Sequence, residues 1–303
     1  MKAFVLVNMG APESQSDMKF FLRRMFRDPL ILPMNKVARF LLGEIITNFR
    51  YKKSWAKYVL IGGSPLKESC QTIAKNISKN INDTYKVEVA YSYSNPLIKS
   101  VLSKLISENI DEIVIVPMYP QASFSTTGSI ERDIKKIQKK HPNIQISIFP
   151  EYYSLNTFVD FWVEQISKTI QKHSLTNPTL LFSAHSVPQY QIDKGDTYGK
   201  AIHESAKLIS ETMNLPYKVG FQSKIGRMKW LEPATENVLT DMNNNDIKEI
   251  IIVPISFLTE NLETLYDIDT LLIPQFNQNG KIHKAQLANT EQELANVFST
   301  IIK

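Results

Sequence analysis

The sequence predicts an α/β fold of two similar Rossmann-like lobes, each a parallel sheet flanked by helices. Three observations carry that expectation. Short, near-continuous apolar runs alternate with longer stretches of helical periodicity, the pattern of strands covered on both faces and joined by right-handed crossover helices. The chain repeats itself: residues 112–118 read EIVIVPM and residues 249–255 read EIIIVPI. Each follows an acidic turn (Asp111, Asp246) and each leads to an aromatic residue, Tyr119 and Phe257. Finally, the run at 3–8 has a counterpart at 178–182, since each opens a half and ends at a polar loop.

Taken in order, AFVLVN at 3–8 predicts the first strand. The segment from Phe20 to Phe49 is apolar but interrupted by Arg23, Arg24, Arg27, Asp28, Lys36, Arg39 and Glu44. Two readings stay open for it: a pair of ordinary amphipathic helices, or an apolar lip that lines a pocket mouth or lies on a membrane surface. Helical patterns near 66–81, 96–108 and 128–140 separate strands at 87–91 (VEVAY), 112–117 (EIVIVP) and 144–149 (IQISIF). Helical patterns near 155–172, 199–213 and 233–242 separate strands at 178–182 (PTLLF), 217–221 (YKVGF) and 248–254 (KEIIIVP). The expected division is one lobe over 1–150, including the lip at about 20–49, and a second over 151–303. They are expected to face each other across a cleft, with ligand held by loops at the carboxyl ends of the strands.

Composition excludes several classes. A chain of 303 residues buries roughly 75% of its unfolded surface, enough for a full core. With 43% hydrophobic and 21% charged residues it is not a disordered chain. Its one cysteine, Cys70, rules out a disulfide framework, a cysteine-held zinc and an iron–sulfur cluster, and suits a reducing, cytoplasmic compartment. The net charge is +5, but the lysines are dispersed, as in Lys135, Lys136, Lys139 and Lys140 on one helical stretch. They read as a solvated face, and no nucleic-acid motif accompanies them. The N-terminus reads as a strand, not a signal peptide, and no apolar stretch reaches the ~18 residues of a membrane span.

The chemistry-bearing residues follow the predicted strands. Of five histidines, only His185 directly follows a buried run, in the loop Ser183-Ala184-His185-Ser186-Val187-Pro188. It reads as a proton acceptor or metal ligand, against the plain alternative of a structural histidine. Glu260, Glu263 and Asp267 are spaced i, i+3, i+7 and would share one face of a helix beginning near Thr259, with Tyr266 beside them. They form either a carboxylate relay, each acid raising its neighbour's pKa, or simple compensation of a helix dipole. The loop Ser125-Thr126-Thr127-Gly128-Ser129 opens a helix and could hold an anion on its N–H groups. Gly62-Gly63-Ser64-Pro65-Leu66 reads as a turn plus N-cap. No Walker loop, GxGxxG or GxSxG occurs, which weakens nucleotide and serine-hydrolase readings.

Taken together, NMGAP, GGSPL, MYPQASFSTTGS, SAHSVP, QSKIGRMKWLEP and SFLTENLETLYDID stand in the order found in ferrochelatases. The chain resembles that family over about residues 4–298, as a protoporphyrin-type, class II chelatase. The resemblance implies the two-lobed chelatase fold and insertion of Fe²⁺ into protoporphyrin IX, the last step of heme biosynthesis, with release of two protons. It implies that His185 and Glu263 face each other across the porphyrin as catalytic and metal-binding residues, with Glu260 and Asp267 as proton or metal relay. Met9, Tyr93, Tyr119, Ser125, Trp230 and Phe257 would line the macrocycle site. Met9 stands where coproporphyrin-using relatives carry tyrosine, which points to protoporphyrin IX. Iron is then a substrate, no cofactor is tightly bound, and no iron–sulfur cluster is present. By the same resemblance the apolar 20–49 region would form the pocket lip, and the expected protein is a cytoplasmic monomer in peripheral contact with a membrane.

Three departures stand out. Ser92 occupies the position where the family often has a substrate-binding arginine, leaving Arg23, Arg24, Arg27 or Lys224 as substitutes. Glu260 replaces the usual aspartate, and Asn261 the common histidine or cysteine. Two other readings remain: a chelatase for another tetrapyrrole, such as a cobalt or sirohydrochlorin enzyme, and a non-catalytic two-lobed binding protein.

Overall fold

A computed structural model describes residues 2–81, 84–224, 228–277 and 281–302. Ile225, Gly226 and Arg227, within the QSKIGRMKWLEP motif, lie outside them. The chain forms two compact units. The first comprises Met1–Tyr119, Ser123–Pro150 and Glu291–Lys303, the second Pro120–Ala122 and Glu151–Thr290.

In the first unit β1 (Lys2–Asn8) is followed by α1 (Gln15–Phe26), α2 (Lys36–Leu60), α3 (Leu66–Asn80), β2 (Tyr85–Tyr91), α4 (Ile98–Ser107), β3 (Glu112–Pro117), α5 (Thr127–Gln138) and β4 (Gln145–Ile148). The sheet order is β2-β1-β3-β4 and every ladder is parallel. Ala3, Val5 and Val7 of β1 share a buried cluster with Val101, Leu102 and Leu105 of α4 and Ile130 and Ile134 of α5. Phe4 and Leu6 point the other way and are equally buried. That two-sided burial is why β1 reads as an unbroken apolar run.

The last helix, Glu291–Ile302, packs on α3 of this unit. Ser69 Oγ of α3 donates to Glu291 Oε1 at 2.7 Å. A division at residue 150 assigns this helix to the second lobe, whereas the chain returns it to the first. Its buried Leu294, Val297, Phe298 and Ile302 supply apolar cover that α3 alone does not provide.

In the second unit come α6 (Asn156–His173), β5 (Thr179–His185), α7 (Gln189–Asp193), α8 (Tyr198–Met213), β6 (Tyr217–Gln222), α9 (Thr235–Asn244) and β7 (Glu249–Val253). A π-helix at Glu263–Leu272, a short α10 (Ile273–Phe276) and β8 (Lys281–Lys284) complete it. Its sheet order is β6-β5-β7-β8, again all parallel. The two sheets share one strand order, and the EIVIVP and EIIIV repeats are β3 and β7, the third strand of each. The expected α/β class of two similar halves is therefore what the chain adopts.

Two features depart from expectation. The strand β8 has the sequence KIHK, with only Ile282 apolar, so it carries too little hydrophobic signal to be read as a strand. The acidic helix starts after Glu260 and is π-type, with i→i+5 bonding.

Candidate active site

His185 is the last residue of β5, and backbone bonds on both sides hold it. Its N–H donates to Ser256 Oγ at 3.0 Å, and its carbonyl accepts from the Tyr198 hydroxyl at 2.9 Å. The next segment is zipped to the stretch carrying Trp230. Leu231 N–H donates to the Val187 carbonyl and Gln189 N–H to the Lys229 carbonyl, both at 2.9 Å, while Ser186 Oγ donates to the Leu231 carbonyl at 3.0 Å. Trp230 thus owes its place to the histidine loop, by a Pro188–Trp230 bridge. The imidazole stands edge-on to Phe257, with ring centroids 6.3 Å apart at 83°.

The bonds to Ser256 and Tyr198 anchor the backbone of His185, not its ring. Its Nδ1 is buried and finds no hydrogen-bond partner among the described residues. Burial lowers its pKa below the usual 6.5, and the nearby Asp267 carboxylate opposes that shift by favouring the charged ring. The imidazole is therefore neutral at neutral pH and able to take up a proton. Asp267→Asn removes the charge that pulls the pKa upward, so His185 should titrate at still lower pH. Measured by NMR titration of the ring protons in metal-free protein, an unchanged or higher pKa would contradict this electrostatic pairing.

The three acids do not share one helical face. Glu260 precedes the helix, and its carboxylate accepts from Thr264 Oγ1 and, at 2.9 Å, from Lys284 Nζ. Glu263 opens the π-helix and Asp267 follows four residues later. A π-turn is wider than the 3.6 residues of an α-turn, so residues four apart fall more nearly in line. Asn261 caps the helix start: its Oδ1 accepts from Glu263 N–H at 2.9 Å and Thr264 N–H at 3.1 Å, and its own N–H donates to Thr264 Oγ1 at 2.9 Å. Asp267 accepts from Ser223 Oγ at 2.6 Å, and Ser223 sits in the left-handed region at φ 66°. The second unit thus assembles His185, Phe257 and Asp267, with Trp230 on the neighbouring zipped segment and Glu263 one turn from Asp267. Among the described residues, no three His, Cys, Asp or Glu side chains cluster as a metal site.

In the first unit, the loops after β1 and β2 are bonded together. Ser92 N–H donates to the Asn8 carbonyl and Tyr93 N–H to the Met9 carbonyl, both at 3.0 Å. This brings Met9 and Tyr93 side by side. Tyr93 is buried, its hydroxyl donating to Asp28 Oδ2 at 3.0 Å. Asp28 is also bound by the Arg132 guanidinium and by Leu30 N–H at 2.9 Å. Burial, with Asp28 adding to it, holds the Tyr93 phenol well above its ordinary pKa. Of the cations proposed to replace the missing arginine, Arg23 and Arg27 pair with Glu44, and Lys224 with Glu232. Arg24 instead reaches the missing arginine's own position, donating to the Ser92 carbonyl at 3.3 Å.

Gly10 makes this loop packing feasible. It has φ +86°, and a Cβ there would fall 1.9 Å from Ser94 Oγ and 3.0 Å from Tyr91 Cβ. Gly10→Ala should destabilise the protein by about 2 kcal/mol or more, combining left-handed strain with overpacking. Urea unfolding measures it, and a stability within 0.5 kcal/mol of wild type, the ordinary scatter of surface substitutions, would contradict it.

Tyr119 and Ser125 are half-buried, the latter in the loop that opens α5. Two N–H groups of that loop, from Thr126 and Gly128, turn inward to the Ser123 carbonyl, so they are spent within the loop. Gly62 and Gly63 have φ of 73° and 96°, and Gly63 N–H donates to the Tyr58 carbonyl, closing α2 in the turn expected there. His173 and His283 stack on each other at 3.7 Å. Lys284, Tyr198, Asp28 and Arg132 are the participants that sequence reasoning does not identify. The only available signal for Lys284 is its alternation with Ile282, which points a lysine inward.

A family model described as Ferrochelatase matches residues 1–303. A protein named Ferrochelatase from Aquifex aeolicus is 37% identical over 274 residues, covering 88% of this chain and 87% of the other. One of the same name from Geotalea daltonii is 31% identical over 311 residues, covering 99% and 97%. Among solved structures, SirB from Bacillus subtilis with Fe³⁺ superimposes with a TM-score of 0.62 at 11% identity, covering 99% of this chain and 94% of that one. CbiX, described as the terminal enzyme of siroheme biosynthesis in denitrifying bacteria, gives 0.52 at 12% identity, covering 99% and 98%. These two likenesses speak for the fold alone.

Proposed function

The chain belongs to the ferrochelatase family, and on that premise we propose that it inserts Fe²⁺ into protoporphyrin IX, giving protoheme and two protons as the last step of heme biosynthesis. The observation that carries the mechanism is the neutral His185 beside Asp267, with its buried Nδ1 unpartnered among the described residues. A buried polar atom left without a partner is costly, and such atoms recur where function uses them. Metallation exchanges two pyrrole protons for one dication. His185 accepts a pyrrole proton. Asp267 stabilises the imidazolium so formed, and Glu263 together with Asp267 offers carboxylate oxygen to the incoming iron and carries protons away. Imidazole and carboxylate are both suitable donors for Fe²⁺. Phe257 and Trp230 contribute apolar walls on the histidine side. Met9, Tyr93, Tyr119 and Ser125 are the further macrocycle contacts that the family resemblance implies. Arg24, beside the Ser92 carbonyl, takes over recognition of a propionate.

Anaerobic incubation with protoporphyrin IX and Fe²⁺ tests the reading by the appearance of the metalloporphyrin spectrum. No spectral change under conditions where a known ferrochelatase turns over would overturn it. A parallel assay with coproporphyrin III tests the specificity assigned to Met9.

The same reading makes the protein a cytoplasmic monomer that touches a membrane surface without crossing it. Among the described residues no helix is long and apolar enough to span a bilayer. Along α2, Val37, Leu41, Ile45 and Phe49 form an i, i+4 stripe, each more than half exposed. Lys36, Arg39, Arg50, Lys52 and Lys53 share this helix. An apolar stripe with basic flanks suits an anionic lipid surface. Co-sedimentation with phosphatidylglycerol vesicles should fall when Leu41 and Phe49 are both replaced by serine, and no binding by the wild type would remove the membrane assignment.

A further inference from the structure

Lys284 is a lysine at an inward-facing position. Alternation along β8 puts it on the same face as Ile282, and Ile282 packs against Ile268 and Leu272 of the π-helix. The Lys284 side chain is only 7% exposed, so its ammonium must find acceptors there. It finds three: the Glu260 carboxylate at 2.9 Å, the Thr264 carbonyl at 3.3 Å and the Asp269 carboxylate at 2.5 Å. Thr264 Oγ1 closes the set by donating to Glu260. Thr264 and Asp269 are five residues apart, the i→i+5 step that distinguishes this helix from an α-helix. One ammonium therefore grips the chain before the helix, at its start and one wide turn along. Between those points lie Glu263 and Asp267.

We propose that Lys284 is a positioning residue: it holds the π-helical spacing of Glu263 and Asp267, and Glu260 serves as its counter-ion, not as a proton carrier. The role in iron insertion rests on the ferrochelatase reading, while the structural clamp stands on the contacts alone. Groups that orient metal-binding side chains from behind typically affect metal affinity or turnover about 10–100-fold.

The test compares Lys284→Met, Lys284→Arg and the double variant Glu260→Gln/Lys284→Met. Lys284→Met should lower kcat for Fe²⁺ insertion at least about tenfold and raise KM for Fe²⁺. Its dissociation constant for protoporphyrin IX, from fluorescence quenching, should stay at the wild-type value. Lys284→Arg should restore most of the turnover. The double variant should exceed Lys284→Met, because it removes the buried Glu260 carboxylate that the single variant leaves unpaired and keeps only the more exposed Asp269. A folded Lys284→Met with wild-type kcat and KM overturns the proposal. So does a double variant less active than Lys284→Met, since Glu260 would then carry protons itself. If Lys284→Met does not fold, Asp269→Asn loosens the same clamp at its most exposed acceptor and must shift KM for Fe²⁺ in the same direction. Calorimetric titration of Zn²⁺ into porphyrin-free protein separates the two claims. Weaker Zn²⁺ binding in Lys284→Met with no iron insertion by the wild type would sink the ferrochelatase reading and leave the positioning role standing. Unchanged Zn²⁺ binding would sink the positioning role.

Discussion

Replacing His185 with alanine is expected to lower iron insertion by about 10²–10⁴-fold, the range a positioned general base contributes, without loss of fold. The side chain can be removed cleanly because its place in the structure is held by the backbone. Ser256 and Tyr198 bind the N–H and carbonyl of residue 185, not the ring. The zipped pairing with residues 229–231 likewise uses the flanking residues. The ring itself has an Nδ1 unpartnered among the described residues and an edge contact with Phe257. Truncation therefore leaves no new buried donor or acceptor and removes the one neutral base identified in the site. Steady-state insertion with saturating Fe²⁺ reads the loss in kcat, and fluorescence quenching reads porphyrin binding. Wild-type turnover by His185→Ala would end the assignment of this residue as proton acceptor. A structural histidine would show the opposite pattern, with stability falling and kcat per folded molecule intact.

Glu263→Gln should lower turnover by about 10²-fold or more, on the scale of losing a group that stabilises charge at the reacting centre. It also decides between the two meanings of an acid at this position. Glu263 lies in the first turn of the π-helix, where the dipole favours a carboxylate. If compensation were its whole role, glutamine would cost about 0.3–1 kcal/mol of stability and leave insertion unaffected. If it binds iron, stability changes little and KM for Fe²⁺ rises as kcat falls. The backbone around it should hold in either case, because Asn261 Oδ1 caps Glu263 N–H and Thr264 N–H through main-chain donors that the substitution retains. Urea unfolding and metal-dependent kinetics on the same preparation separate the outcomes.

Much of this architecture is legible in the chain because burial leaves a periodic signature. Central strands such as β1 and β5 are covered on both faces and so read as unbroken apolar runs, and β3 and β7 repeat nearly residue for residue. The edge strand β8 and the helix at 291–302 escape that reading. The first is too polar and too short to announce itself. The second is an ordinary amphipathic helix whose destination depends on α3, more than two hundred residues earlier. His185 is legible for a related reason, since a histidine ending a buried strand at a polar loop stands out against four others. Its electrostatic partner is not. Spacing alone offers Glu260, Glu263 and Asp267 as equals on an α-helix, and the choice among them needs the actual helix type and the strand beneath it.

The division of information is clearest in those acids. Fold class and family are legible in the chain, because they rest on local periodicity and on motifs that keep their order along it. The pairing of Asp267 with His185 and of Glu260 with Lys284 emerges only in the folded molecule. The physical reason is that charge interactions depend on distance and burial between residues far apart in the chain: His185 and Asp267 are on different elements, and Lys284 reaches Glu260 only because β8 runs parallel to β7 with its inward face under the π-helix.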